Sequence, residues 1–326
     1  MFTSETTVRE IYSDPRIRKY RNYSIYGQRK YGNLFFLASL SQLSKSNWNI
    51  PDMNRGIERL KEAAVLPGFF QKVYSDSECR DDRRKKDVNL MFFPSEKHDG
   101  KKKPFIIVCA GGAYTHVCNM TEAYPVCRSF NELGFDCFAL NYRVSTAGVM
   151  PMPLDDLAAA IKYIDRNCSG LLKDSDPSRY AVCGFSAGGN LTAEWGSKTV
   201  GYEKYGIRKP AALLPIYGAV SCKVPENGND GFLKLMFGEN YTPETAQLYD
   251  VPSHIDDDYP PCYIVCCEDD PLVPYSNSTE LHDLLEKNGV KSRLLVGKTG
   301  GHGYGVGTGT SVEGWPALAA EFLENL

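Results

Sequence analysis

The sequence predicts an α/β fold: a mostly parallel central sheet with helices on both faces. Two observations carry that expectation. Apolar runs such as residues 104–110, 211–217 and 261–267 are continuous rather than alternating, as in strands buried on both faces. The segments between them place apolar residues at helical spacing, so strands and helices alternate along the chain.

Taken in order, residues 1–73 are the least regular. Within them Ile57, Leu60, Ala63 and Ala64 mark a helix over 53–66, stopped by Pro67 and Gly68. The alternation starts with strands over 87–93 and 104–110, joined by a polar turn and ended by Gly111 and Gly112. A helix over 120–133 stops at Gly134. A strand over 136–143 precedes a helix whose face carries Leu154, Leu157, Ile161 and Ile164. Asp155 and Asp156 fall in its first turn, where they suit the dipole. Residues 180–183 form the next strand and 190–200 its helix. After the strand over 211–217 comes an excursion, 218–260, with a short helix over 232–237. The strand over 261–267 leads to a helix with Leu281, Leu284 and Leu285 on its apolar face. Asn277 with Glu280 suggests a capping box there, with Ser276 as a competing cap. A short strand, 292–296, and a closing helix bearing Trp315, Leu318 and Phe322 complete the chain. No repeat or linker divides it, so residues 1–326 read as a single domain. The segment 1–85 either covers part of a pocket or packs on the sheet; 86–326 form the core.

Composition narrows the function classes. The 326 residues are 42% hydrophobic and 24% charged, with a formal net charge of -3. That is an ordinary globular balance without the basic footprint of a nucleic-acid binder. The basic runs at 83–86 and 101–103 flank strands and read as solvated loops. The first ten residues lack the apolar stretch of a secretory signal, and no apolar run is long enough to span a bilayer. There are 11 cysteines, many in strand-like runs, which suggests buried thiols in a reducing, cytoplasmic setting. Cys266 and Cys267 lack metal-ligand spacing and no paired C-x-x-C exists, so a zinc site is not expected.

The most informative stretch is 180–191. Gly184-Phe185-Ser186-Ala187-Gly188 is a G-x-S-x-G pentapeptide between a strand and a helix. Such a turn lifts the serine hydroxyl above the sheet, with helix N–H groups behind it. The bland alternative is a glycine-rich connection with an incidental serine. A serine needs a base, and the base needs a carboxylate to orient it. Of five histidines, His302 sits among glycines just after the last strand, where it can reach across the strand ends. His116, near the same end of the sheet, is the competitor, and a surface loop histidine is the bland reading. Asp270 follows the strand ending at Cys267, and the turn after it would fix its side chain near His302; Asp269 is the alternative. Backbone N–H groups of Gly112, Ala113 and Ala187 are candidates for an oxyanion hole, against a plain Gly-Gly turn at 111–112.

The order Ser186, Asp270, His302 is that of α/β-hydrolases. Residues 110–114 (Ala-Gly-Gly-Ala-Tyr), 140–144 (Leu-Asn-Tyr-Arg-Val), 153–156 (Pro-Leu-Asp-Asp), 184–189 (Gly-Phe-Ser-Ala-Gly-Gly), 270–274 (Asp-Pro-Leu-Val-Pro) and 300–303 (Gly-Gly-His-Gly) carry a wider resemblance. The chain resembles the α/β-hydrolase superfamily, in its esterase/lipase branch near acetylxylan-esterase-like and hormone-sensitive-lipase-like enzymes. Ala110 and Ala113 depart from the family's usual His-Gly-Gly-Gly or Pro-Gly-Gly-Gly loop. The resemblance implies a cofactor-free serine carboxylesterase acting on a small-molecule ester, either an acetylated sugar or a general short-acyl ester. It does not reach residues before about Val88. A peptidase of the same superfamily and a non-catalytic hydrolase-fold binding protein are the rivals.

Overall fold

The computed structural model describes residues 2–25, 27, 37–43, 48–97, 100–224 and 230–326. Eight strands among them form one sheet: β1 (Phe70–Lys72), β2 (Asn89–Phe93), β3 (Lys103–Cys109), β4 (Cys137–Asn141), β5 (Ser175–Phe185), β6 (Ala212–Ile216), β7 (Cys262–Cys267) and β8 (Ser292–Gly297). The order is β1-β2-β4-β3-β5-β6-β7-β8. Strands β3 to β8 run parallel, and β2 is antiparallel to both β1 and β4. The expected α/β architecture is therefore present, with an antiparallel edge. Residues 105–110 of β3 and its end are fully buried, as the continuous apolar run required.

Chain direction across the sheet reverses between β3 and β5. Their register pairs Cys109 with Gly184, so the loops leaving both strands emerge side by side. Ligands bind at such a reversal in open α/β sheets, outside the carboxyl ends of the strands. The helix after β5, Ala187–Gly196, packs so tightly on β3 that a Cβ on Gly188 would lie 2.0 Å from the Cys109 carbonyl oxygen. A Cβ on Gly184 would lie 1.9 Å from the Gly188 carbonyl oxygen. Both positions must be glycine for the turn to close.

Several sequence expectations need correction. The helix after β5 covers Ala187–Gly196, not 190–200: Gly196 lies against the Tyr259 ring, and Ser197 turns extended. The helix expected over 120–133 begins as a π-helical turn, Asn119–Ala123, before α-helix Tyr124–Glu132. Asp156, expected only to suit its helix dipole, has a larger role. It is fully buried, accepts from Arg143 Nε at 2.9 Å and from Tyr74 Oη at 2.7 Å, and so ties the end of β4 to its helix. Lys103 is no solvated loop residue; it opens β3, buried, with Nζ 2.8 Å from the Leu133 carbonyl and 2.7 Å from Glu324. The helix Ser276–Lys287 has no capping box, because Asn277 Oδ1 accepts the N–H groups of Val220 and Ser221 in the excursion instead. The excursion also holds a second helix, Pro243–Tyr249.

Of the two roles the sequence left open for the N-terminal segment, packing on the sheet is the one the structure describes. The segment adds β1 and the helix Ile50–Ala63 to the sheet's flank. It also reaches the strand ends: Met120 N–H donates to Ser24 O at 2.9 Å, and Asn49 Nδ2 donates to Thr308 O at 3.1 Å. All eleven cysteines are buried free thiols. No helix among the described residues is long and apolar enough to cross a membrane.

Glu194 is an anomaly in the helix Ala187–Gly196. It is fully buried, and neither carboxyl oxygen has a hydrogen-bond partner among the described residues. Burial pushes its pKa well above the usual carboxylate value. A folded-state pKa raised above the unfolded one gives stability that is complete at low pH and lost as pH rises toward the folded value. A neutral amide removes that loss. The stability of Glu194→Gln relative to wild type should therefore grow, by up to about 1.4 kcal/mol per pH unit, as pH rises from the unfolded carboxylate value toward the folded one. Thermal melts of both proteins at pH 5 and pH 8 check this; a difference that stays constant with pH contradicts a protonated Glu194.

Candidate active site

Ser186 occupies the turn between β5 and the following helix with φ 52° and ψ -116°. A non-glycine residue in this region costs about 1–3 kcal/mol and persists only where its surroundings hold it. Here the hold is visible: Ser186 N–H donates to Ile216 O at 3.0 Å, fastening the turn to β6. The residue is half-buried there.

The loop after β8 carries His302 back across β7 to meet it. Ser186 Oγ is 2.8 Å from His302 Nε2, and His302 Nδ1 is 2.7 Å from Asp270 Oδ2. With Asp270 as an acceptor, the imidazole proton sits on Nδ1 and Nε2 is free to accept from the serine. The Asp270 side chain is only 1% exposed. Its second oxygen accepts the N–H groups of Leu272 at 2.8 Å and Val273 at 2.9 Å. The turn that follows Asp270 thus aims its carboxylate, as the Pro-Leu-Val-Pro sequence suggested. Asp269 faces elsewhere: it accepts the N–H groups of Gly300 and Gly301, at 3.0 and 2.8 Å from Oδ1, and so braces the loop that carries His302.

The other histidines lie apart from this chain of contacts. His116 Nδ1 pairs with Thr115 Oγ1 at 2.9 Å beneath Gly112, and burial lowers its pKa. His282 pairs with Ser292 Oγ, and His254 Nε2 lies 3.1 Å from Gln247 O. His98 falls outside the described residues.

The loop after β3 bends through Gly112 at φ 134°, Ala113 at 50° and Tyr114 at 57°. The N–H groups of Gly112, Ala113 and Ala187 donate to no described residue, whereas Gly111 N–H is taken by the Glu122 carboxyl. Ala187 N–H also opens a ten-residue helix, whose dipole favours negative charge there. Tyr114 points into the core, where its hydroxyl donates to Asn190 Oδ1 at 2.6 Å, so the aromatic does not line the hole. Ala113 stays exposed.

Three neighbours had no signal in the sequence reading. Tyr217, the residue after β6, has φ 40° and sets its ring centroid 4.9 Å from that of His302. Glu122 lies buried below the Gly111 loop. Trp48, from the N-terminal segment, brings its indole nitrogen to 3.9 Å from where a Cβ on Gly303 would lie. Among the described residues no group of three or more His, Cys, Asp or Glu side chains is placed to hold a metal ion.

Known proteins share this arrangement of chain. A solved structure, an acetyl ester-xyloside bifunctional hydrolase from Caldicellulosiruptor lactoaceticus, is 28% identical, with a TM-score of 0.68 over 80% of this chain and 97% of that one. The carboxylesterase Cest-2923 from Lactobacillus plantarum WCFS1 has the same fold at 21% identity, with a TM-score of 0.60 over 73% of this chain and 92% of that one. Endo-1,4-beta-xylanase B of Butyrivibrio fibrisolvens is 24% identical across 85% of this chain and 44% of its own length. Esterase LipQ of Mycobacterium tuberculosis is 26% identical across 58% of this chain and 47% of its own. The chain thus spans less than half the length of these curated relatives. The BD-FAE family model matches residues 91–285, well over half of the chain and including Ser186 and Asp270. The chain belongs to the BD-FAE family and has the α/β-hydrolase fold.

Proposed function

We propose that this protein is a serine carboxylic ester hydrolase for short-acyl esters, with an acetylated sugar as the substrate class. The observation that carries the reading is the unbroken hydrogen-bonded chain Ser186 Oγ–His302 Nε2 and His302 Nδ1–Asp270 Oδ2 at the carboxyl ends of the strands. Nucleophile, base and orienting carboxylate each stand at bonding distance from the next.

The chemistry follows from that geometry. His302 Nε2 takes the Ser186 proton as Oγ attacks the ester carbonyl carbon. The developing oxyanion is met by the N–H groups of Gly112, Ala113 and Ala187, which no described group competes for. Asp270, acceptor for Nδ1–H, holds the ring and stabilises the imidazolium. As the tetrahedral species collapses, Nε2–H protonates the leaving alcohol and an acyl-Ser186 remains. Water then gives a proton to His302, attacks the acyl carbon, and the serine is restored with release of the acid. None of these steps calls for a bound cofactor.

The substrate class draws on the relatives' names, an acetyl ester-xyloside hydrolase and a xylanase, and on the exposed Ala113 methyl beside the candidate hole. A methyl there restricts the acyl side of the site.

Three measurements test the reading. Ser186→Ala should lose hydrolysis of p-nitrophenyl acetate by at least about 10³-fold with an unchanged melting temperature, because the three residues act as a unit. A variant as active as wild type overturns the assignment. Asp270→Asn should lower kcat about 10³-fold or more by misorienting the imidazole. Asp269→Asn, whose amide oxygen can still accept from Gly300 and Gly301, should stay within about tenfold of wild type; the reverse ranking would move the orienting role to Asp269. Acyl-length profiling should show acetyl and propionyl esters ahead of octanoyl esters in kcat/KM. The decline should be graded, since a pocket discriminates by only about 1–3 kcal/mol per methylene. A maximum at long chains points to a lipase, and no advantage of acetylated xylo-sugars over simple alkyl acetates removes the sugar assignment.

A further inference from the structure

One buried carboxyl group beside the reacting atoms has no part in the steps above. Glu122 lies in the π-helical turn Asn119–Ala123, a backbone irregularity that concentrates at functional sites. Its Oε2 accepts Gly111 N–H at 2.5 Å, and its Oε1 accepts the Tyr217 hydroxyl at 3.0 Å. The Tyr217 oxygen accepts Gly305 N–H at 3.2 Å, which leaves its own proton to point at Glu122. Gly111 immediately precedes the candidate oxyanion donors Gly112 and Ala113. Gly305 stands three residues after His302, and the Tyr217 ring packs on the His302 ring. One carboxyl group therefore holds both loops that the proposed chemistry must keep in register.

The charges around it sharpen the point. The titratable groups facing Glu122 are His302 from the loop after β8, Tyr217 at the end of β6, Tyr142 after β4, Cys183 on β5 and Cys118 at the foot of its own turn. Asp270 lies beyond His302. Burial pushes both thiols and both phenols well up, so they stay neutral near pH 7. Of this set, only His302 can become positive. Burial raises Glu122 above the usual carboxylate value, and Gly111 N–H, His302 and the Tyr217 hydroxyl offset only part of that rise. Two donors aimed at its two oxygens are what a carboxylate needs.

We propose that Glu122 is a positioning residue that, as a carboxylate, aims the oxyanion loop through Gly111, holds the His302 loop through Tyr217 and Gly305, and supplies a second negative charge to the imidazolium. This rests on the hydrolase reading and adds to it a residue that touches neither substrate nor nucleophile.

The test compares wild type, Glu122→Gln, Glu122→Asp and Tyr217→Phe. The readouts are kcat and KM on p-nitrophenyl acetate, the melting temperature, and the rate of Ser186 labelling by a fluorophosphonate from pH 5 to 9. Glu122→Gln should lose about 10- to 100-fold in kcat and in labelling rate, with KM within about threefold, because the loops lose alignment by a fraction of an ångström. The acidic limb of its labelling profile should move down by about half a pH unit or more, because the imidazolium has lost an anion. Glu122→Asp, which keeps the charge, should leave that limb in place. Tyr217→Phe, which keeps the ring and removes the hydroxyl link, should lose several-fold in kcat. A Glu122→Gln protein with a lowered melting temperature but wild-type labelling and an unmoved limb overturns the proposal, leaving a purely structural carboxyl. If Glu122→Gln does not fold, an unaltered kcat and labelling rate in Tyr217→Phe overturns it instead. Labelling needs no ester substrate, so the two readings fail separately. A wild type that turns over no ester, yet labels at a rate dependent on Glu122, sinks the hydrolase reading and supports the positioning role.

Discussion

The close approach of two backbones organises this molecule. Gly188, in the first turn of the helix after β5, lies so near the Cys109 carbonyl at the end of β3 that no side chain fits between them. That contact, with the Cys109–Gly184 register, decides where two unrelated loops meet. One carries N–H groups that no described residue accepts, the other a serine in a strained conformation. Neither does anything chemically specific alone. Held at the reversal point of a rigid parallel sheet, they form a site whose geometry is inherited from strand pairing rather than from loop stiffness.

Around this point the structure spends its polar groups with economy. Asp270 uses one oxygen for His302 and the other for the turn that holds it. Asp269, its neighbour, binds the backbone of the histidine loop. Arg143 and Asp156, both buried, tie β4 to the helix beside it. Each of these charged groups has partners on both sides, which is the condition under which burial of charge is tolerable. Glu194 breaks the pattern, and its raised pKa is the consequence.

How much of this was legible in the sequence depended on whether local pattern or distant contact decided the outcome. The parallel strands were legible, because burial on both faces leaves an unbroken apolar run such as 104–110. Ser186, Asp270 and His302 were legible as neighbours because each sits at a glycine- or proline-marked turn just beyond a strand, and the fold brings strand ends together. β1 was not: three residues, Phe70–Lys72, carry no periodicity, and only pairing with β2 makes them a strand. Lys103 was misread because a charged residue announces exposure unless its partner is known, and the burial of Asp156 gave no signal; their partners Glu324 and Arg143 are distant in sequence or lie across an intervening turn. Glu122 gave no signal for the same reason. Its partners, Gly111 and Tyr217, come from two other strand ends.

The N-terminal segment sets an architectural division of labour. It leans on the β3 loop through Ser24 and on the histidine loop through Asn49, and it delivers Trp48 beside Gly303. All of these residues lie upstream of the stretch that matches the family, 91–285. The contacts that brace the histidine loop and the residues Ser186, Asp270 and His302 are therefore encoded in separate lengths of chain. Bracing and chemistry can diverge independently: a substitution at Asn49 or Trp48 alters what leans on the histidine loop without replacing Ser186, Asp270 or His302.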